Sequence, residues 1–473
     1  MGAPVTLPLW LVVLLVALAA WALLALVLAP GVRWFLRRRL NKVITQVNAR
    51  LHVGLPTFKL TRRQVLIDRL FHDPKVQAAA ASWAAEQGEP LGEVWRRVDR
   101  YAREIVPGFN AYLYFRVGYA LARAAARALY RVRIGHVDEA ALGEVDPTAS
   151  IVFVINHRSN MDYILVAFLA AERAALSYAV GEWARIWPLQ QMVRAMGGYF
   201  VRRNSGDPLY RAVLARYVHM ATEGGVIQAV FPEGGLTQDG RLRPPKLGLL
   251  DYMLKGFDGR DGEGRRDLVF IPVGLNYDRV LEDRTQLLAL HPNAPRPGFA
   301  GTVLRASGFL MENLLLVATG RWHRLGYACV NFGTPISMRA YVRERGLHFP
   351  DLGDEQRRPE VARVGDRLME AIGAVVPVLP VSLVATVLAR NPGRQFSELE
   401  LKAEAHALMA QLEARGAHLY IPRQDHDYAF GVGLRMLTLR RILRESGGLL
   451  HADPAQGEAL AYYANAIAHL VPG

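Results

Sequence analysis

The first pattern along the chain is an unbroken apolar run, Leu9 to Ala29, LWLVVLLVALAAWALLALVLA. At about 1.5 Å per residue, a helix of this run spans a bilayer. From Asp73 to about Glu104, Ala, Glu and Arg recur at helical spacing, interrupted at GEPLG, which predicts two helices joined by a turn. In the stretch that follows, Arg116, Arg123, Arg127 and Arg131 recur at steps of seven, four and four. A helix would carry these arginines on one face, with Tyr112, Leu113 and Leu121 opposite, as in a surface helix or one lying in a membrane interface. Between Ala149 and Ile336 short apolar runs alternate with helical stretches: SIVFVIN, AALSYAV, GGYFVRR, VIQAVFPEG, LVFIPVGLNY and GYACVNFGTPI. This alternation predicts an α/β unit with a mixed, largely parallel sheet flanked by helices. Beyond about Met338 the pattern is helical, with a loop around IPRQDHDYAFGVG. A second uncharged run, Ala371 to Ala389, is broken by Pro377 and Pro380 and reads as a buried helix from near Val381. Four regions result: an anchor over 1–30, a basic helical region over 31–108, the α/β domain over 109–345 and a helical region over 346–473.

Charge refines this picture. No Lys or Arg precedes the apolar run, whereas Arg33, Arg37, Arg38, Arg39 and Lys42 follow it, so the positive-inside rule puts the remainder on the cytoplasmic side of a cell membrane. A cleaved signal peptide fits less well, because the run is too long and lacks a basic leader. The formal net charge is +14, and between Gly31 and Val76 eleven Lys and Arg face two acids. That excess beside a membrane is attracted to anionic phospholipids. No nucleic-acid recognition motif accompanies the charge, which excludes that class of partner. The single cysteine, Cys329, excludes an internal disulfide and a multi-cysteine metal site, and GYACVNF reads as a buried strand.

Candidate chemistry begins where apolar strands end. After SIVFVI comes NHRSNMDY, in which His157 is followed five residues later by Asp162. A carboxylate one turn into a helix can orient an imidazole through Nδ1 and leave Nε2 as a general base; the bland alternative is a helix-capping histidine. MGGYFVRRNSG ends a strand in Arg202 and Arg203, whose guanidinium forks suit a phosphate or carboxylate, or else form a solvated turn. FPEGGLTQDGRLRPPKLG places Glu233 beside Gly234 and Gly235, with Lys246 as a further cation. IPVGLNYDRV ends in Tyr277, Asp278 and Arg279. Four polar clusters at the ends of strands in one parallel-type sheet are expected to meet at one edge.

The blocks NHRSNMD, GGYFVRR, FPEGGLT and IPVGLNYDR, in this order, resemble those of the glycerolipid acyltransferase superfamily. The HRSxMDY form, the double arginine and the YDR ending are most similar to the glycerol-3-phosphate acyltransferases. The resemblance implies that superfamily's α/β fold and acylation of the sn-1 hydroxyl of glycerol 3-phosphate. The acyl donor would be acyl-CoA or acyl carrier protein, no cofactor would be needed, and the product would be lysophosphatidic acid for phospholipid synthesis. His157 would be the base and Asp162 its partner. Arg202 and Arg203, helped by Arg279 and Lys246, would hold the phosphate, while Glu233, Gly234 and Gly235 would shape the glycerol site. Charge on the thioester oxygen would meet backbone N–H groups at the start of the helix after His157. Where the family often has an arginine after EGG this chain has Leu236, and Arg241 or Arg243 would have to substitute. Related acceptors, dihydroxyacetone phosphate or lysophosphatidate, and a catalytically silent membrane scaffold are the alternatives.

Overall fold

The computed structural model describes residues 57–170, 176–181, 185, 189–202, 205–260, 262, 265–291 and 325–471. The apolar run Leu9 to Ala29 and Arg203 lie outside the described residues. Among the described residues no helix is long and apolar enough to cross a membrane.

After a single helical turn at Thr57–Leu60 come three helices: α1 (Arg63–Phe71), α2 (Pro74–Gln87) and α3 (Leu91–Ile105). Asp73 starts α2 by accepting the Lys75 N–H ahead of Pro74, and Gly88 ends it in a left-handed conformation. A π-helical turn, Leu113–Gly118, runs into α4 (Tyr119–Leu129), with Leu113, Val117 and Leu121 exposed. The helix stops before Arg131, which was expected on its arginine face. Arg131 instead opens β1 (Arg131–Val137), paired parallel with β7 (Tyr327–Phe332). Spacing alone could not separate the two, because Arg131 and Arg133 also fit the two-residue period of an exposed edge strand.

The remaining strands of this sheet are β2 (Ser150–Ile155), β3 (Ser177–Gly181), β4 (Tyr199–Val201), β5 (Gln228–Val230), β6 (Leu268–Tyr277) and β8 (Ile336–Ser337). Their order is β1-β7-β6-β2-β5-β3-β4, with β8 pairing β6. The run from β6 to β4 is parallel, whereas β7 and β8 are antiparallel to β6. All ten residues of β6 are buried, as a central strand covered on both faces requires. Pro272 is tolerated there because its side of β6 faces the gap between β7, which pairs from Val273, and β8, which pairs up to Phe270.

Alternate residues of β2 serve opposite layers. Val152 and Val154 pack in a core with α1 to α3, α6 (Pro208–Glu223) and α7 (Asp354–Ala374). Ile151 and Ile155 pack with Val166 and Ala167 of α5 (Met161–Ala170). A third core surrounds α8 (Pro380–Arg390), the buried helix expected near Val381, with α9 (Glu398–Ala414), α10 (His426–Leu439) and α11 (Gly457–Asn465). The stretch read as a loop around IPRQDHDYAFGVG is largely α10. Its polar start supplies only a turn, with Arg423 and Gln424 at positive φ, and the N-cap Asp425. A hairpin of β9 (Leu443–Ser446) and β10 (Leu449–Ala452) was not expected; Gly447 and Gly448, both at positive φ, make its turn.

Candidate active site

β2 lies where the parallel strands divide, with β5 and β3 on one side and β6 on the other. The crevice beyond the strand ends at such a point is the usual ligand site of an open α/β sheet. The Asn156 side chain imitates one more residue of ladder: Nδ2 donates to the Leu275 carbonyl (2.9 Å) and Oδ1 accepts the Leu275 N–H (2.7 Å). This fixes the next residue, His157.

The His157 ring stacks on Phe231 at 4.1 Å and puts Nδ1 2.9 Å from Asp162 Oδ2. The same oxygen accepts the N–H groups of Arg158 (2.7 Å) and Ser159 (3.0 Å), and Oδ1 accepts the Tyr277 hydroxyl. Every neighbour of the carboxylate is a donor, so the imidazole presents Nδ1–H to it and keeps the Nε2 lone pair for a substrate. The amides expected to receive the thioester oxygen are taken. Beyond those two, Asn160 N–H goes to Glu282 Oε1 (3.2 Å) and Met161 N–H to Ser159 Oγ (3.1 Å). Ser159 itself donates to Glu282 Oε2 (2.7 Å), and burial pushes the Glu282 carboxyl above its ordinary range.

Glu233, at the end of β5, ties two loops together. Its Oε1 accepts the His157 N–H (2.8 Å) and its Oε2 the Arg243 N–H (3.0 Å). Burial pushes its pKa up to about 7, against these two donors. Both oxygens are thus engaged with backbone, which makes Glu233 a strut between loops. Gly234 has φ +67°, and a Cβ there would stand 2.6 Å from Lys246 Cγ, so the lysine crosses where only glycine leaves room. Lys246 N–H donates to the Pro232 carbonyl (2.7 Å). Gly235 lines the cleft, and its N–H has no hydrogen-bond partner among the described residues.

These groups open on a cleft of about 590 Å³ lined by His157, Arg202, Glu233, Gly235, Arg243 and Lys246, with apolar walls from Leu214, Val230 and Leu250. The expected convergence is therefore seen in the cleft for the ends of β2, β4 and β5, and the end of β6 joins them through the Tyr277 hydroxyl on Asp162. Arg202 is committed, however: Nε and Nη2 donate to Glu104 of α3 (2.8 and 2.6 Å), and its guanidinium lies over the rings of Tyr101 and Tyr210, at 5.0 and 4.8 Å from their centroids. No local pattern announces Glu104, which is 98 residues away in sequence. Arg279 is not among the described residues lining the cleft; its carbonyl accepts the Tyr130 hydroxyl (2.9 Å), and burial beside Arg440 lowers its pKa. Arg243 donates to the carbonyl of Leu236 (3.2 Å) and enters the cleft where the expected arginine is missing, while Arg241 stays exposed beside Asp239. A smaller cavity of about 190 Å³, lined by Ser150 and Asp267, lies toward the opposite ends of the strands.

The far end of the chain clasps these loops. Asn465 Nδ2 donates to the Asp239 carbonyl (2.9 Å), and Tyr462 donates to Gln286 Oε1 (2.5 Å). Gln286 in turn donates to the Arg158 carbonyl (2.8 Å). Arg158, buried with its charge over the Tyr462 ring, donates to the Gly240 carbonyl (3.1 Å). Sequence reasoning missed this role of α11, which only the tertiary fold brings to the site.

Residues 140–276 match the acyltransferase family model, and residues 312–471 match that of the glycerol-3-phosphate acyltransferase C-terminal region. The chain thus carries a match to an acyltransferase domain followed by one to the glycerol-3-phosphate acyltransferase C-terminal region. It is 26% identical over 424 residues to the glycerol-3-phosphate acyltransferase of Pseudomonas putida, covering 87% of this chain and 49% of that one. The protein of that name from Aeromonas hydrophila is 27% identical over 429 residues, covering 87% and 50%. That of Xylella fastidiosa is 26% identical over 446 residues, covering 92% and 49%. The chain thus spans about half the length of the curated relatives it matches. Among solved structures, the 1-acyl-sn-glycerophosphate acyltransferase of Thermotoga maritima is similar over 55% of this chain and 80% of that one, at 18% identity and a TM-score of 0.32. The acyltransferase match takes in His157, Asp162 and Glu233, and the C-terminal match takes in the clasp of α11.

Proposed function

We propose that the cleft transfers a fatty acyl group from the thioester of acyl-CoA or acyl carrier protein to the sn-1 hydroxyl of glycerol 3-phosphate, giving lysophosphatidic acid. The observation that carries this reading is the His157–Asp162 pair opening on the same cleft as Lys246 and Arg243. The two cations suit a phosphate, and they stand in for Arg202, which Glu104 already occupies. The substrate hydroxyl oxygen attacks the thioester carbonyl as its proton passes to His157 Nε2, and the tetrahedral intermediate collapses with loss of thiolate. The thiolate then takes the proton from His157. A thiolate leaves without prior protonation, so the reaction needs no cofactor beyond the donor. The Gly235 N–H is the donor for the thioester oxygen in this scheme, in place of the occupied amides after His157.

The reading includes a membrane location with the catalytic unit on the cytoplasmic side. Leu9 to Ala29 would anchor the chain, and exposed Leu113, Val117 and Leu121, flanked by Arg116, Arg123 and Arg127, would lie in the lipid interface with their cations toward phospholipid phosphates. An acyl chain and its lysophospholipid product both partition into that phase.

The test is incorporation of radiolabelled glycerol 3-phosphate into lipid by membranes containing the chain, with palmitoyl-CoA or palmitoyl acyl carrier protein as donor and His157→Ala in parallel. Label in lysophosphatidic acid that vanishes with His157→Ala is expected. Acceptance of only dihydroxyacetone phosphate or lysophosphatidate would move the assignment to those acceptors, and no acyl transfer to any of them would support a silent scaffold.

A further inference from the structure

Tyr277 ends β6 with a side chain that no solvent reaches. Its hydroxyl is the one donor to Asp162 Oδ1 among the described residues; the three other donors converge on Oδ2. A carboxylate held at one oxygen can rotate about its Cβ–Cγ bond and exchange which lone pair meets the imidazole. A donor on each oxygen fixes the plane. The tyrosine is itself fixed: its N–H donates to Asn276 Oδ1 (2.9 Å), and Asn276 Nδ2 reaches the Pro377 carbonyl (2.9 Å) and Ser382 Oγ (3.2 Å) ahead of and within α8. Its ring lies 5.2 Å from that of Tyr130. Burial first, and then the charge of Asp162, push the Tyr277 phenol well above its ordinary range, so it remains a donor throughout the working pH range.

We infer that Tyr277 is a positioning residue for the reaction, locking the Asp162 carboxylate so that Oδ2 stays on His157 Nδ1. The inference rests on the proposed role of His157 as base. It makes the dyad a three-residue chain, Tyr277 to Asp162 to His157, whose outer member comes from the fourth sequence block and is braced by the C-terminal region.

The test compares steady-state kinetics of the full chain with Tyr277→Phe, Tyr130→Phe, Asp162→Asn and the Tyr277→Phe/Asp162→Asn double variant, using glycerol 3-phosphate and palmitoyl-CoA. Tyr277→Phe is expected to lower kcat about tenfold or more, as loss of a hydrogen bond to a charged group does, with KM for both substrates within about twofold of wild type. Tyr130→Phe, whose hydroxyl meets only the Arg279 carbonyl, keeps wild-type kcat. In the Asp162→Asn background the Tyr277 change costs nothing further, since the group it acts through is gone. Wild-type kcat in Tyr277→Phe, or losses that multiply fully in the double variant, would overturn the inference. Full activity of His157→Ala would instead overturn the underlying reading. If Tyr277→Phe alone does not fold, the comparison of Asp162→Asn with and without the Tyr277 change decides the matter.

Discussion

Replacing Glu233 by Gln tests how the loops of His157 and Arg243 are held together. The Glu233 side chain is 2% exposed, and burial raises its pKa from 4.5 to about 7. Between those pH values the folded protein keeps a proton that the unfolded chain has released. The stability from this group is therefore full below pH 4.5 and is lost as pH rises through about 7. The loss is about 3 kcal/mol, at about 1.4 kcal/mol per pH unit. Glutamine has the same shape and no charge to bury, but its NH₂ cannot accept, so either the His157 or the Arg243 N–H loses its partner. Relative to a protonated glutamate, whose hydroxyl oxygen still accepts, this costs about 1 kcal/mol at any pH. Glu233→Gln should thus be less stable than wild type by about 1 kcal/mol at pH 4, nearly equal to it at pH 5 and more stable by about 2 kcal/mol at pH 8. Asp278, whose pKa burial also pushes up to about 7, is common to both proteins and cancels in the difference. Urea denaturation of both, in one detergent at pH 4, 5, 6, 7 and 8, reads the crossover. A difference in stability that stays constant across this range would refute the reasoning.

Lys246→Ala should raise KM for glycerol 3-phosphate about tenfold or more and leave KM for palmitoyl-CoA unchanged, since a charge-assisted contact to phosphate is removed; initial-rate kinetics with each substrate varied will show it. Gly240→Ala should lower the thermal midpoint and the activity together: Gly240 has φ +88°, which costs a residue with a Cβ about 1–2 kcal/mol, and that Cβ would stand 2.0 Å from the Tyr462 carbonyl oxygen. A fluorophore on Leu121→Cys, at a position 55% exposed, should be quenched by nitroxide-labelled lipid in anionic bilayers, whereas one on Glu93→Cys should not.

The strands and their chemistry were legible because each apolar run is short, β-branched and ends in polar residues, so that β2 delivers His157 and β5 delivers Glu233 to one crevice. The roles were less legible than the positions. Glu233 was expected to shape the glycerol site, yet both its oxygens bind backbone N–H groups, and the amides expected for the oxyanion belong to Asp162, Glu282 and Ser159. The Glu233 contact with His157 spans 76 residues and that of Glu282 with Asn160 spans 122, and spacing carries no trace of either; the amides held by Asp162 and Ser159 are local, but their hydrogen bonds depend on backbone conformation that spacing does not specify. Arg202 shows the same limit, since its partner Glu104 lies on a helix with no motif. β1 and the β9–β10 hairpin were missed because an exposed edge strand and a glycine turn offer little apolar signal, and their pairing partners decide them.

The clasp of α11 on the loops of Arg158 and Gly240 also orders events in time. During synthesis at about 5–20 residues per second, Asn465 leaves the ribosome roughly 15 to 60 s after His157. Over that interval the nascent chain can assemble its sheet and its histidine pair, but the loops that carry them lack their last hydrogen bonds. Closing of the clasp therefore follows formation of the sheet. A ribosome that has not yet released α11 holds a sheet whose loops are shaped but not yet locked.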